Sequence, residues 1–257
     1  MLRGLRRMYG ERTFVREGTG LDTLIEAMLS QNTNMANASR GFKQLRRQFP
    51  TWDKVLAAPV HEVQRCIAIC GLARMRARRL QDLLRRIGEE RRRLSIDFLR
   101  DVPSPDAYAW LTRFHGIGPK TAAFTLLFAF DHPILPVDSG VLRVLRRTAL
   151  VRAKARDAEA ERVMSPLIPR GRHYAMHVLL FTHAKQRCRP KNPKCDECEL
   201  LELCPFGKRR VRKLPPKTIE PFVAVRRRPA SLARFASAGL SKGGEREDTT
   251  VRRKRGG

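Results

Sequence analysis

Four cysteines fall within one short run, Cys188-RPKNPK-Cys195-DE-Cys198-ELLEL-Cys204, separated by six, two and five residues. A segment this short cannot enclose a core of its own. Four sulfur donors converging on one point can, however, tie it to a metal centre and so impose a fixed loop on the fold. Two centres use such a set: an iron-sulfur cluster or a tetrahedral zinc ion. Zinc ligands usually come as two pairs with about two to four residues between partners, and here only Cys195 and Cys198 are so closely paired. A disulfide framework fits poorly, because the cysteines gather at one end and the first residues, MLRGLRRMYGERTF, lack the apolar stretch of a secretion signal. The remaining two, Cys66 and Cys70, stand four apart on one expected helix face and read as ordinary buried thiols.

The net charge of +28 far exceeds what solubility needs, so an anionic polymer is the expected partner, with nucleic acid ahead of a membrane surface. From Gly207 to Gly257 there are sixteen Lys and Arg against four Asp and Glu, which leaves the preceding body with a net +16. Both parts are basic. No apolar run approaches the roughly 20 residues that span a bilayer. The expected setting is a reducing compartment that contains DNA.

Apolar residues recur at helical spacing along most of the chain. Leu21, Leu24, Ile25, Met28 and Leu29 form one stripe, Ala38, Phe42, Leu45 and Phe49 a second, and Ala77, Leu80, Leu84 and Ile87 a third. Thr19 is placed to cap the first of these helices, and Ser104-Pro105 suits the N-cap and first position of another. No strand pair stands out, so the expected class is all-α. From Gly207 the stripes fade into KRRVRKLPPKTIEPFVAVRRRP and a Gly-, Ser- and Arg-rich end, expected to be a disordered basic tail.

The segment Leu111-TRFHGIGPKTAAFTLLFAF reads as helix, hairpin, helix. Gly116, Ile117 and Gly118 make the turn and Pro119 opens the next helix. Glycines let backbone N–H groups approach a phosphate, and the helix directs its positive end to the same place, an arrangement that holds a nucleic-acid backbone without reading sequence. Lys120 lies in the first helical turn, where its amine is a candidate nucleophile for a Schiff base with a sugar carbon; the plainer reading is a phosphate contact. Eighteen residues on, Leu135-Pro136-Val137-Asp138 leads into Val141, Leu142, Val144 and Leu145 at helical spacing. Asp138 is both a natural N-cap and a carboxylate able to stabilise an oxocarbenium-like sugar.

Together, the Gly116-x-Gly118-x-Lys120 hairpin, Asp138 after Val137 and the four-cysteine loop resemble the endonuclease III family of helix-hairpin-helix DNA glycosylases over about residues 20 to 206. The resemblance implies a two-lobed all-α fold with the active site in the cleft between lobes. A six-helix domain would span 19–131, and an iron-sulfur domain would combine 1–18 with 132–206, ahead of the 207–257 tail. It implies a 4Fe-4S cluster on Cys188, Cys195, Cys198 and Cys204, a Schiff base at Lys120 and a catalytic carboxylate at Asp138. Gln31, in Met28-Leu-Ser-Gln-Asn-Thr33, would fill the gap left by an extruded base, and Leu72, in Cys70-Gly-Leu-Ala-Arg74, would wedge beside the orphaned partner. The implied activity is base-excision repair. The glycosylase would remove oxidised or damaged pyrimidines and, as an AP lyase, cut 3′ to the abasic site. The implied partner is double-stranded DNA with damaged bases or abasic sites, bound by a monomer in the cytoplasm, at the nucleoid, if the source is prokaryotic.

Three departures from the family pattern bear on the pocket. Phe114-His115 replace the common Leu-Pro before the hairpin, Ser139-Gly140 replace Thr-His after the carboxylate, and Asn32-Thr33-Asn34 lack a frequent Asp. Competing readings are a monofunctional mismatch, uracil or alkyl-base glycosylase using water and Asp138, and a noncatalytic damaged-DNA-binding module. The presence of Lys120 argues against the first, and its pairing with Asp138 argues against the second. An electron-transfer protein would need closer cysteine spacing and no basic groove.

Overall fold

The computed structural model describes residues 1–213, and all regular structure within them is helical. In chain order the helices are α1 (Leu2–Tyr9), α2 (Gly20–Leu29), α3 (Met35–Gln48), α4 (Trp52–Ala57), α5 (Val60–Cys66), α6 (Ala73–Arg91), α7 (Ser104–Thr112), α8 (Pro119–Phe130), α9 (Ser139–Arg147), α10 (Asp157–Met164), α11 (His173–Gln186) and α12 (Pro205–Arg212). The expected all-α class is met.

The apolar stripes bury as their spacing dictates. Leu21, Leu24, Ile25, Met28 and Leu29 of α2 join Ala77, Leu80, Leu84 and Ile87 of α6 in a first core, which extends through α8 to Ile134. A second core takes Leu5 from α1 and buried apolar residues from Leu135 to Leu200, including Val141, Val144 and Leu145 of α9 and Leu179 and Leu180 of α11. The chain passes from one core to the other between Ile134 and Leu135, and α1 returns the N-terminus to the second. Both belong to one compact unit. At about 25 cal/mol per Å² of apolar surface, burying each such leucine contributes roughly 1.5–3 kcal/mol to the stability of its core.

Local signals set the ends. Thr19 caps α2 through a reciprocal box, its hydroxyl accepting from Asp22 N while the Asp22 carboxylate accepts from Thr19 N at 2.8 Å. Ser104 behaves differently from the sequence expectation: α7 begins at Ser104 itself, and the hydroxyl lies 2.8 Å from His132 Nδ1 instead of capping. Cys66 ends α5 and Cys70 lies in the following 3-10 turn, so the two do not share one continuous helix, but both are buried as expected.

The expected tail boundary at Gly207 falls inside α12. Cys204 caps this helix, its Sγ accepting from Gly207 N at 3.2 Å, which carries regular structure through Arg212. The rest of the basic tail lies outside the described residues. Among the described residues no helix is long and apolar enough to cross a membrane.

Candidate active site

The hairpin between α7 and α8 is a set of short-range bonds. Phe114 N donates to Leu111 O, and Ile117 N to Phe114 O at 3.0 Å. Gly116 carries φ +88°, a left-handed conformation open to glycine at little cost. Ile117 is buried in the first core, so its side chain anchors the turn and leaves Gly116 and Gly118 at the surface. No side chain caps α8, and Pro119 has no N–H to offer. The first amides of α8 therefore face outward with the positive end of the helix behind them, the arrangement that binds a phosphate. His115 is exposed beside them.

The helix that starts there runs along a cavity of about 210 Å³ between the two cores. Lys120 and Asp138 both line it, and so does Gln31 at the end of α2. Three residues singled out in separate motifs thus meet at one opening. Asp138 caps α9, with Oδ1 accepting from Val141 N at 2.7 Å, so its carboxylate is held by one oxygen and half-buried against the cavity. Both sequence readings of Asp138 are compatible with this geometry. α9 and α11 approach closely at Gly140: a Cβ there would meet Ala184 Cβ and Asp138 Oδ1 each at 3.1 Å, so a side chain would require its neighbours to shift by a few tenths of an ångström.

Gln31 is fixed by the hairpin: Nε2 donates to Gly116 O at 2.9 Å and to Thr121 Oγ1 at 3.1 Å. It also lines a second, smaller opening with Leu72, Arg76 and Gly116. Leu72 is 60% exposed and sits in the left-handed region at φ 49°. A leucine held exposed in a conformation that costs about 1–2 kcal/mol is not explained by packing. Sequence reasoning missed what holds it there. Buried Arg76 donates to Gly71 O at 2.9 Å, to Met28 O at 2.8 Å and to Gln31 O, clipping the Leu72 loop to the Gln31 turn. An arginine within an Arg-rich helix gave no sign of an inward role. If Leu72 is a wedge, Leu72→Gly should leave stability within about 1 kcal/mol of wild type, because relieved strain offsets the added chain entropy. The same change should lower processing of duplex relative to single-stranded substrate about tenfold. Urea melts and single-turnover rates check the two halves.

The four loop cysteines line one small pocket with His183 and Phe206. Arginines of α9 bind that loop: Arg143 donates to Cys188 O at 2.8 Å and Ala184 O at 2.9 Å, and Arg147 to Arg189 O at 2.8 Å. Burial first, then the neighbouring thiolates, push the Cys195 thiol up, and burial also raises Cys198. Sulfurs crowded in this way favour a cationic centre that compensates their charge. Among the described residues no three His, Cys, Asp or Glu side chains are grouped as a single metal ion requires. Four cysteines lining one pocket supply the sulfur donors that either an iron-sulfur cluster or a zinc ion would use.

Comparison with known proteins agrees with this geometry. Residues 25–170 match the family described as HhH-GPD superfamily base excision DNA repair protein. The chain belongs to that superfamily, and within it to the endonuclease III family. Endonuclease III of Bacillus subtilis is 30% identical over 75% of this chain and 84% of its own length. An Arabidopsis thaliana protein to which DNA glycosylase activity is ascribed is 32% identical over 72% of this chain and 66% of its own. A solved non-covalent endonuclease III–DNA complex superposes with a TM-score of 0.71 at 27% identity, covering 82% of this chain and 95% of that one. Lys120, Asp138 and the cysteine loop therefore lie within a DNA glycosylase fold of base-excision repair.

Proposed function

We propose that the protein is a bifunctional glycosylase and AP lyase that removes oxidised or damaged pyrimidines from duplex DNA. The observation that carries this reading is that Lys120 and Asp138 line one cavity behind an uncapped helix N-terminus. A glycosidic bond inside a duplex is out of reach, so the nucleotide must be extruded and the hole filled. Gln31, fixed by Gly116 and Thr121, and exposed Leu72 would fill it from two sides. The amides around Gly118 would hold a backbone phosphate.

With the sugar placed in the cavity, Lys120 Nζ attacks C1′, the bond from C1′ to the base breaks, and the base leaves with a proton. Asp138 stabilises positive charge as it develops on the sugar. The nitrogen then gives up a proton as the C1′–O4′ bond breaks and O4′ takes up a proton, opening the sugar to an imine; the imine acidifies the C2′ hydrogen, and removal of that hydrogen as a proton expels the 3′ phosphate. A solved relative, 26% identical with a TM-score of 0.70, is a trapped endonuclease III–DNA covalent intermediate, which supports a covalent route. Borohydride reduction in the presence of an abasic duplex should yield a protein–DNA adduct that survives denaturing electrophoresis. Absence of any adduct at full substrate binding would sink the lysine assignment.

We assign the cysteine loop a 4Fe-4S cluster with a structural role, since catalysis lies elsewhere. Its loop is bonded to Arg143 and Arg147 of α9, the helix whose first turn Asp138 caps. At about 1.5 Å per residue, nine residues make a short strut from the cluster loop to the cavity. Cys198→Ser should therefore abolish absorbance near ~400 nm, typical of iron-sulfur centres, and weaken DNA binding. A colourless wild-type protein containing stoichiometric zinc would overturn the assignment.

A further inference from the structure

Arg76 is only 7% exposed, and among the described residues no carboxylate forms an ion pair with it. A guanidinium is costly to bury without a counter-charge, so its surroundings have to compensate. The compensation comes from backbone. Met28 O and Gln31 O lie in the last turn of α2 and just beyond it, where the helix dipole is negative, and Gly71 O belongs to the loop before α6. Three carbonyls from two separate chain segments thus receive one planar fork. Arg76 also holds Leu72 through backbone, its N–H donating to Leu72 O at 3.0 Å. The Gln31 side chain is bonded in turn to Gly116 O and Thr121 Oγ1. One buried charge therefore fixes the span between Leu72 and Gln31, and the second of these is fixed to the hairpin.

We propose that Arg76 is a positioning residue for work on duplex DNA: it sets the separation of Leu72 and Gln31, so that the two sides of an emptied base-pair position are filled together. The inference rests on the reading of Leu72 and Gln31 as hole-filling residues given above. Leu72 is exposed and left-handed, so without a restraint its loop relaxes to a conformation that costs less. A gap in a stacked duplex filled from one side alone leaves the orphaned base free to restack. Lysine is no substitute, because an ammonium is a compact point donor and the three carbonyls need the spread of a guanidinium. Arg76 does not line the cavity that holds Lys120 and Asp138. A sugar in a single strand, already open to attack, does not depend on it.

The test uses a duplex with a tetrahydrofuran abasic analogue opposite 2-aminopurine, whose fluorescence rises when the orphaned base is unstacked. At saturating wild-type protein the fluorescence should rise, and Arg76→Lys should forfeit at least about two-thirds of that rise. On true abasic sites, Arg76→Lys should slow single-turnover cleavage of duplex at least about tenfold relative to cleavage of the single strand. Combined with Leu72→Gly, the duplex loss should be no greater than that of the more damaging single variant, because both changes remove one function. Arg76→Met, of similar length and uncharged, serves as a second variant, with circular dichroism confirming that each is folded. A full rise in both Arg76 variants, or losses that multiply in the double variant, would overturn the proposal. If wild type gives no rise, or Leu72→Gly keeps it, hole filling by Leu72 fails and the role of Arg76 falls with it. If Leu72→Gly loses the rise and the Arg76 variants keep it, Arg76 alone is removed. A wild type that cuts no abasic site removes the Lys120 lyase, and the fluorescence still decides on Arg76.

Discussion

Lys120→Gln should reduce strand cleavage at an abasic site by at least about 10³-fold, because a glutamine amide cannot form an imine and removal of a nucleophile typically costs that much or more. Stability should hardly change. Lys120 is exposed in the first turn of α8, outside both cores, and glutamine suits a helix as well as lysine does. Duplex affinity should fall only by the loss of one phosphate-facing charge, which lowers the salt slope by about 0.9. The measurement is single-turnover cleavage on a denaturing gel beside a salt titration of binding. Cleavage retained at the wild-type rate would remove Lys120 from the chemistry. Cleavage lost while alkali-revealed base release persists would identify Asp138 and water as sufficient for excision, with lysine needed only for the cut.

The distance between these outcomes and the sequence is uneven, and the reason is physical. The helices were legible because each buries one stripe, and Leu21, Leu24, Ile25, Met28 and Leu29 declare that stripe without any tertiary information. The hairpin was legible because a left-handed turn at Gly116 followed by a proline is a local matter. Lys120, Asp138 and Gln31 could be nominated separately, but their meeting at one cavity depends on α2, α8 and α9 packing across two cores, which no local spacing encodes. Arg76 was not legible at all. Arg76 sits among arginines that face solvent, and only the carbonyls of Met28, Gly71 and Gln31 show that it turns inward. Ser104 shows the opposite failure: a valid local capping rule lost to a histidine 28 residues on.

Asp138 is the position where structural and chemical roles can be separated by a single change. Its Oδ1 caps α9 by accepting from Val141 N at 2.7 Å, and asparagine is about as good an N-cap as aspartate. Asp138→Asn should therefore leave the thermal midpoint within a few degrees of wild type, whereas Asp138→Ala should cost about 1 kcal/mol by losing the cap. The charge is another matter. An amide carries no negative charge to set against a cationic sugar or an ammonium, so base excision by Asp138→Asn should fall by about 10²- to 10⁴-fold. Cutting of a preformed abasic site should fall less, because that step begins after the glycosidic bond has gone. Excision rates and calorimetric melts on the same two variants decide it. If Asp138→Asn excised at the wild-type rate, the carboxylate would be a cap alone, and the positive charge on the sugar would have to be stabilised by another group in the same cavity.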